Sequence, residues 1–261
     1  MKKRLLIFAL CPLFLFGQTA NEPRQCDVNF VNTPIKIDGQ VDEAWESVSW
    51  SPDFVDIVSS SQPMPPYRTR IKLLWDHSYL YLLADMEEPH IWATLKKHDD
   101  IVFHDNDFEL FIDPNNDGLQ YFEIEVNPFN TVFDLLMNKP YNKGGNMDAS
   151  WNSVGFQSAV VIDGTLNKPT DTDKGWLVEM AIPFASMKRP GRVHQPQVGD
   201  SWRANFSRVE WDTDIVDGKY IIRRNASGKK LPEHNWVWSP QGAINMHIPE
   251  KWGYIHFKAA K

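Results

Sequence analysis

Asp107-Phe108-Glu109-Leu110-Phe111-Ile112-Asp113, the turn Pro114-Asn115-Asn116-Asp117-Gly118, and Tyr121-Phe122-Glu123-Ile124-Glu125-Val126-Asn127 are the stretches that decide the fold. Side chains alternate between the two faces of a β-strand, so Phe108, Leu110 and Ile112 share one face and Asp107, Glu109 and Phe111 the other. Paired as a hairpin, the second run adds Phe122, Ile124 and Val126 to the apolar face. Glu123, Glu125 and Asn127 then join Asp107 and Glu109. Like charges opposite one another in an antiparallel pair are destabilising, so the acidic face requires something to offset it.

Outward from this hairpin the same punctuation recurs. Residues 70–75 and 79–85 alternate around Asp76-His77-Ser78, and further short runs cover residues 131–137, 156–163, 176–183, 202–211 and 253–257. Helical periodicity is nearly absent. Short connections favour sequential antiparallel pairing over any βαβ scheme, which predicts an all-β, antiparallel two-sheet β-sandwich. Residues 86–106, 138–153, 186–199 and 225–250 read as long loops, where binding residues tend to lie.

With 261 residues, 42% apolar and 23% charged, the chain is long enough for one large domain with a real core. A basic start (Lys2, Lys3, Arg4), an apolar run from Leu5 to Phe16 and the small Gly17 have the layout of a secretory leader. We therefore expect a signal peptide over residues 1–20, with cleavage after Gly17 or Ala20, and a single domain over 21–261, periplasmic or extracellular in a bacterium. No later stretch approaches the length of a membrane span. Cys11 lies in the leader and Cys26 beyond it, so no intrachain disulfide is expected after cleavage. The formal charge of −7 becomes more negative once Lys2, Lys3 and Arg4 leave, which disfavours nucleic acid as a partner.

The acidic face is the first place where chemistry suggests itself. Arg203, Asn205 and Ser207 share a parity on the 202–211 run, and Arg208 lies beside them. Acid, amide and guanidinium groups together supply the donors and acceptors that sugar hydroxyls need. Tryptophan, present eleven times, offers a flat apolar plate for a pyranose ring. Trp75, Trp176 and Trp202 sit in strand-like runs and read as core; Trp92, Trp151, Trp236, Trp238 and Phe103 lie in or beside long loops and read as platforms.

Two runs carry metal-ligating residue types. One extends from His98-Asp99-Asp100 to His104-Asp105-Asn106-Asp107; the other, Asp113, Asn115 and Asp117, has the spacing that opens a calcium loop. Ile124 stands where that loop's closing Glu belongs, so a plain hairpin turn competes with the calcium reading. Oxygen donors would select calcium before zinc. An enzyme reading is also open, with Glu109 and Glu123 or Glu125 as the paired carboxylates of a glycoside hydrolase. Gly-x-Ser-x-Gly and His-Glu-x-x-His motifs are missing.

Ile37-Asp38-Gly39, Val41-Asp42-Glu43-Ala44-Trp45, residues 106–113, Trp238-Ser239-Pro240 and residues 245–253 occur in an order that resembles the family 9 carbohydrate-binding modules of xylanases and their DOMON-like relatives. The resemblance implies an immunoglobulin-like two-sheet sandwich that clamps a glucose or xylose chain end between two aromatics, with structural calcium as the possible cofactor. Glu109 matches a sugar-contacting acid and Phe103 falls where one clamping Trp is expected. Glu125 stands at the place of a sugar-contacting Arg, and Met246 near that of the second Trp. The implied ligand-binding set is Phe103, Asp107, Glu109, Glu125, Asn127, Trp151, Asn205, Arg208, Trp236 and Trp238. Non-catalytic binding of xylan- or cellulose-type oligosaccharides follows, alongside glycoside hydrolases of the same degradation system. A haem-binding electron-transfer domain, also found among DOMON-like sandwiches, is the first alternative, and a glycoside hydrolase the second.

Overall fold

The computed structural model describes residues 22–260, so the expected leader lies outside the described residues. Its strands are β1 (Gln25–Phe30), β2 (Val55–Asp56), β3 (Thr69–Trp75), β4 (Tyr79–Glu87), β5 (Asp107–Asp113), β6 (Tyr121–Val126), β7 (Val132–Met137), β8 (Met147–Asp148), β9 (Gln157–Asp163), β10 (Gly175–Pro183), β11 (Ser201–Glu210), β12 (Thr213–Val216), β13 (Lys219–Ile222), β14 (His234–Val237) and β15 (Gly253–Lys258). Among the described residues the only helical segments are short 3₁₀ turns, and no helix is long and apolar enough to cross a membrane.

Hydrogen bonding runs in one continuous path, β8-β7-β6-β5-β11-β15-β1-β3-β4-β10-β9, with β14 on β11 and β2 on β14. The path curls over itself. Phe108, Leu110, Ile112, Ile124 and Phe206 from one half meet Leu73, Leu82, Met86, Val178 and Ile182 from the other in the principal core, as the period-two pattern requires.

Pairing is not antiparallel throughout. Strand β1 runs parallel to both β15 and β3. Parallel neighbours need long connections, and residues 31–68 supply one between β1 and β3. That crossover packs Ile35 and Trp45 on the outer side of β3, β4 and β10, against Leu74, Tyr81 and Ala181. Trp45 Nε1 donates to Glu179 Oε1 at 3.0 Å. The region expected as a loop over 225–250 contains β14, which pairs with β11 from Ser207 to Glu210 and so extends the sheet where β15 has already left it. A β12–β13 hairpin, turning at Asp217-Gly218 with positive φ at both residues, also escaped the strand reading.

Gly253 marks a close approach in the sheet. A Cβ there would lie 2.3 Å from a Trp238 ring carbon and 2.6 Å from the Arg24 carbonyl oxygen. Overpacking of a rigid interior is destabilising by about 1–3 kcal/mol and sometimes more. Gly253→Ala is therefore expected to lower the denaturation midpoint; a midpoint equal to wild type would show that the indole has room to move.

Candidate functional site

Register places four carboxyl groups together. Glu109 of β5 lies opposite Glu125 of β6, and Phe111 opposite Glu123; on the far side of β5, Ser207 of β11 faces Glu109 and Val209 faces Asp107. Phe133 and Leu135 of β7 lie opposite Glu125 and Glu123. The sequence reading leaves this face open to solvent. Instead Asp107, Glu109, Glu123 and Glu125 are each no more than 5% exposed. A second apolar cluster closes over the sheet: Ile57, Val102, Met246 and Trp252 pack on Phe111, Tyr121, Phe133 and Leu135. Trp252 Nε1 donates to the Met246 carbonyl at 2.8 Å and pins the covering segment in place.

What remains is a cavity of about 380 Å³ with Glu109, Phe111, Glu123 and Glu125 in its floor and Phe103, Met246 and His247 in its walls. Ile101, Tyr141, Met147 and Ile244 also line it, and all four are exposed, so the mouth carries an apolar rim above an acidic base. The floor positions the wall: Phe103 N donates to Glu125 Oε2 at 2.9 Å, holding the Val102–His104 turn against β6.

Burial governs the electrostatics. Loss of solvent pushes the Glu109 carboxyl up to about 7. Burial, reinforced by mutual repulsion, holds Asp107, Glu123 and Glu125 well above the usual carboxylate range. Both Asp107 oxygens, Glu109 Oε2, Glu123 Oε2 and Ser207 Oγ have no hydrogen-bond partner. Ser207 and the Val209 amide approach Glu109 and Asp107 closely enough to soften the field, without closing a bond of ordinary geometry. His247 supplies no counter-charge. Its Nδ1 shares a 2.8 Å hydrogen bond with the Tyr121 hydroxyl, its Nε2 is 3.9 Å from Glu123 Oε2, and burial lowers its pKa to about 4.

Several residues read from the sequence as ligand contacts are committed elsewhere. Asn127 Nδ2 donates to the Leu95 carbonyl and to Asp105 Oδ2, while its Oδ1 accepts from the Phe129 and Thr131 amides. Asn205 is closed in the same way by Ser239 and the Phe206 amide. Trp238 is 1% exposed in the core, and Trp151 packs against Phe122 with ring centroids 4.9 Å apart and planes tilted by 43°. Arg208 points to the interior parity of β11, where it pairs with Glu88 and Glu210. Trp236 lies beneath that guanidinium, beside a second cleft of about 540 Å³ that Tyr67 and Trp211 also line.

The residues expected to open a calcium loop are engaged in hydrogen bonds and an ion pair within the protein. Asp113 Oδ1 and Oδ2 accept from the Asn115 and Gly118 amides, and Asp117 is bound bidentately by Arg192 at 2.6 and 2.8 Å. Asn115 Oδ1 accepts from the Val193 amide. These contacts are those of a hydrogen-bonded turn tied down by an ion pair. Of the His98-to-Asp107 run, the exposed His98 and Asp99 meet the buried Asp134, and Asp105 is bound by Thr94 and Leu95. The apolar rim escaped the sequence reading because its residues come from separate loop segments with no shared period.

Residues 37–229 match a family model described as "Carbohydrate family 9 binding domain-like". Exoglucanase XynX of Acetivibrio thermocellus is 29% identical over 167 residues, 64% of this chain and 13% of that protein. Endo-1,4-beta-xylanase A of Thermoanaerobacterium saccharolyticum is 31% identical over 155 residues, 59% of this chain and 11% of that protein. The chain thus corresponds to a small fraction of these relatives. Among solved structures, a family 9 carbohydrate-binding module from Caldicellulosiruptor kristjanssonii in complex with cellotriose has a TM-score of 0.56 at 19% identity, covering 91% of this chain and 95% of that one. A putative carbohydrate-binding protein from Bacteroides uniformis gives 0.59 at 19% identity, covering 90% and 99%. The two-sheet fold is shared with these structures, and the family match spans most of the sequence: the chain belongs to the carbohydrate family 9 binding domain-like family.

Proposed function

We propose that the protein binds xylan- or cellulose-type saccharides, without cleaving them, in the cavity over β5 and β6. The observation that carries this reading is the apolar rim above a floor of hydrogen-bond acceptors. A sugar ring presents C–H faces that pack on Phe103, Tyr141 and Ile244, and hydroxyls that donate to the Glu109, Glu123 and Glu125 oxygens. Family membership and the cellotriose complex of a structural relative support the same ligand class. The cavity size favours a chain end or a short segment over a long chain lying flat.

Nothing in the fold or in the relatives favours the haem or hydrolase alternatives. Action outside the cytoplasm, beside polysaccharide-degrading enzymes, fits the leader-like start and the xylanase relatives. Isothermal titration with xylo- and cello-oligosaccharides tests the proposal, and absence of heat with every glycan tried would overturn it. Phe103→Ala is expected to weaken binding roughly tenfold, the effect of losing part of one aromatic contact. Trp151→Ala, which alters packing against Phe122, should leave affinity close to wild type; the reverse ranking would move the site out of the cavity.

A further inference from the structure

The acidic floor has a property that saccharide binding does not account for. One carboxylate oxygen each from Asp107, Glu109 and Glu125 lie within 4.8 Å of one another. Oxygens that close can share one ion, because two ligands of a calcium ion at ~2.4 Å each are at most ~4.8 Å apart. Asp107 is fully buried with both oxygens unpartnered, and Glu109 Oε2 is likewise buried and unpartnered. Among the described residues no Lys or Arg pairs with any of the three. Arg208, on a neighbouring strand, is consumed by Glu88 and Glu210.

Protons alone answer only half of this arrangement. Protonation removes the repulsion but leaves the Asp107 oxygens buried without partners, and each such atom costs about 1–3 kcal/mol. A cation removes the repulsion and fills the lone pairs in one step. The donors are fixed in advance, because Asp107 and Glu109 stand on one strand and Glu125 is in register across the next. Glu109 and Glu125 border the cavity, which gives an ion its way in. Ser207 Oγ, opposite Glu109 and unpartnered, is a further oxygen at hand.

We propose that Asp107, Glu109 and Glu125 bind a divalent cation of the calcium type at the floor of the cavity. Three carboxylates without nitrogen or sulfur select a hard ion. Donors fixed by sheet register suit the adaptable shell of calcium better than the strict octahedron of magnesium. The proposal does not depend on the saccharide reading.

The test is a titration of chelator-treated protein with calcium chloride, without saccharide, followed by calorimetry and by thermal melting. One-site heat is expected, with a midpoint rise of roughly 5–10 °C at a hundredfold excess over Kd. Glu125→Gln and Asp107→Asn should abolish both signals. Their metal-free forms should melt no lower than wild type, since each removes a repelling charge, and that melt also shows whether the variants fold. Asp99→Asn, in the group with His98 and Asp134, should leave calcium binding intact. The proposal is overturned by a wild-type protein that shows neither heat nor shift at ~1 mM calcium, the weak end for extracellular modules. It is equally overturned by folded Glu125→Gln and Asp107→Asn proteins that still bind. Because no saccharide is present, either result leaves the saccharide titration to be judged separately.

Discussion

Replacing Arg208 with Met is expected to destabilise the protein by about 3–5 kcal/mol, the range for breaking a buried ion pair from one side. Arg208 is 1% exposed, and its Nη2 donates to Glu88 Oε2 at 2.7 Å and to Glu210 Oε2 at 2.8 Å. Nη1 donates to the Glu87 carbonyl at 2.7 Å, and the guanidinium lies 5.0 Å from the Trp236 ring centre. Methionine keeps much of the aliphatic stem but leaves two buried carboxylates facing each other. Burial and Glu88 already push the Glu210 carboxyl well above its usual range against the pull of Arg208. For a domain of this size the change corresponds to a drop of roughly 10 °C in thermal midpoint. Adding Glu210→Gln should recover part of it, because one of the stranded charges is then gone. A variant that melts like wild type but loses saccharide affinity would restore Arg208 to the ligand-contacting role its sequence position suggested.

The second large effect concerns pH. In chelator-treated protein the thermal midpoint should fall as pH rises from 6.5 through about 7 and beyond. A carboxyl whose folded pKa is raised contributes stability that is fully present below its unfolded value and is lost as pH climbs through the folded one. Glu109, moved from 4.5 to about 7, fixes the window, and Asp107, Glu123 and Glu125 act in the same direction. His247 has the opposite sign: lowered from 6.5 to about 4, it contributes stability above 6.5 that is lost as pH falls towards 4. Above 6.5 its contribution is constant, so the decline there belongs to the carboxyls. The expected size is several degrees, at roughly 2–4 °C per kcal/mol. Glu109→Gln should flatten the decline, and a wild-type midpoint independent of pH above 6.5 would contradict the buried, repelling arrangement.

Local spacing did not reveal the partners of the expected calcium-loop residues. Asp113, Asn115 and Asp117 have a suitable spacing, yet each backbone amide in a tight turn competes for the same oxygens, and Arg192 arrives from a segment remote in sequence. Asn127 and Asn205, read as ligand contacts, are engaged inside the protein for a related reason. Asn127 just past β6 and Asn205 within β11 both close neighbouring backbone groups, and nothing in a period-two pattern says which amides are spared. Phe103 lines the cavity because its amide, bonded to Glu125, ties its turn to the strand that carries the acids.

Alternation of apolar and polar residues was enough to determine the two-sheet class, the hairpin of β5 and β6, and the gathering of four acids on one face, because strand geometry forces side chains two apart to the same side. The burial of those acids, the parallel insertion of β1 between β3 and β15, and the interior position of Arg208 were decided only in three dimensions. Each depends on segments more than a hundred residues apart meeting: residues 241–252 over β5 and β6, β15 beside β1, and Arg208 against Glu88. Such meetings are selected by packing across the whole core, and a local pattern contains no record of them.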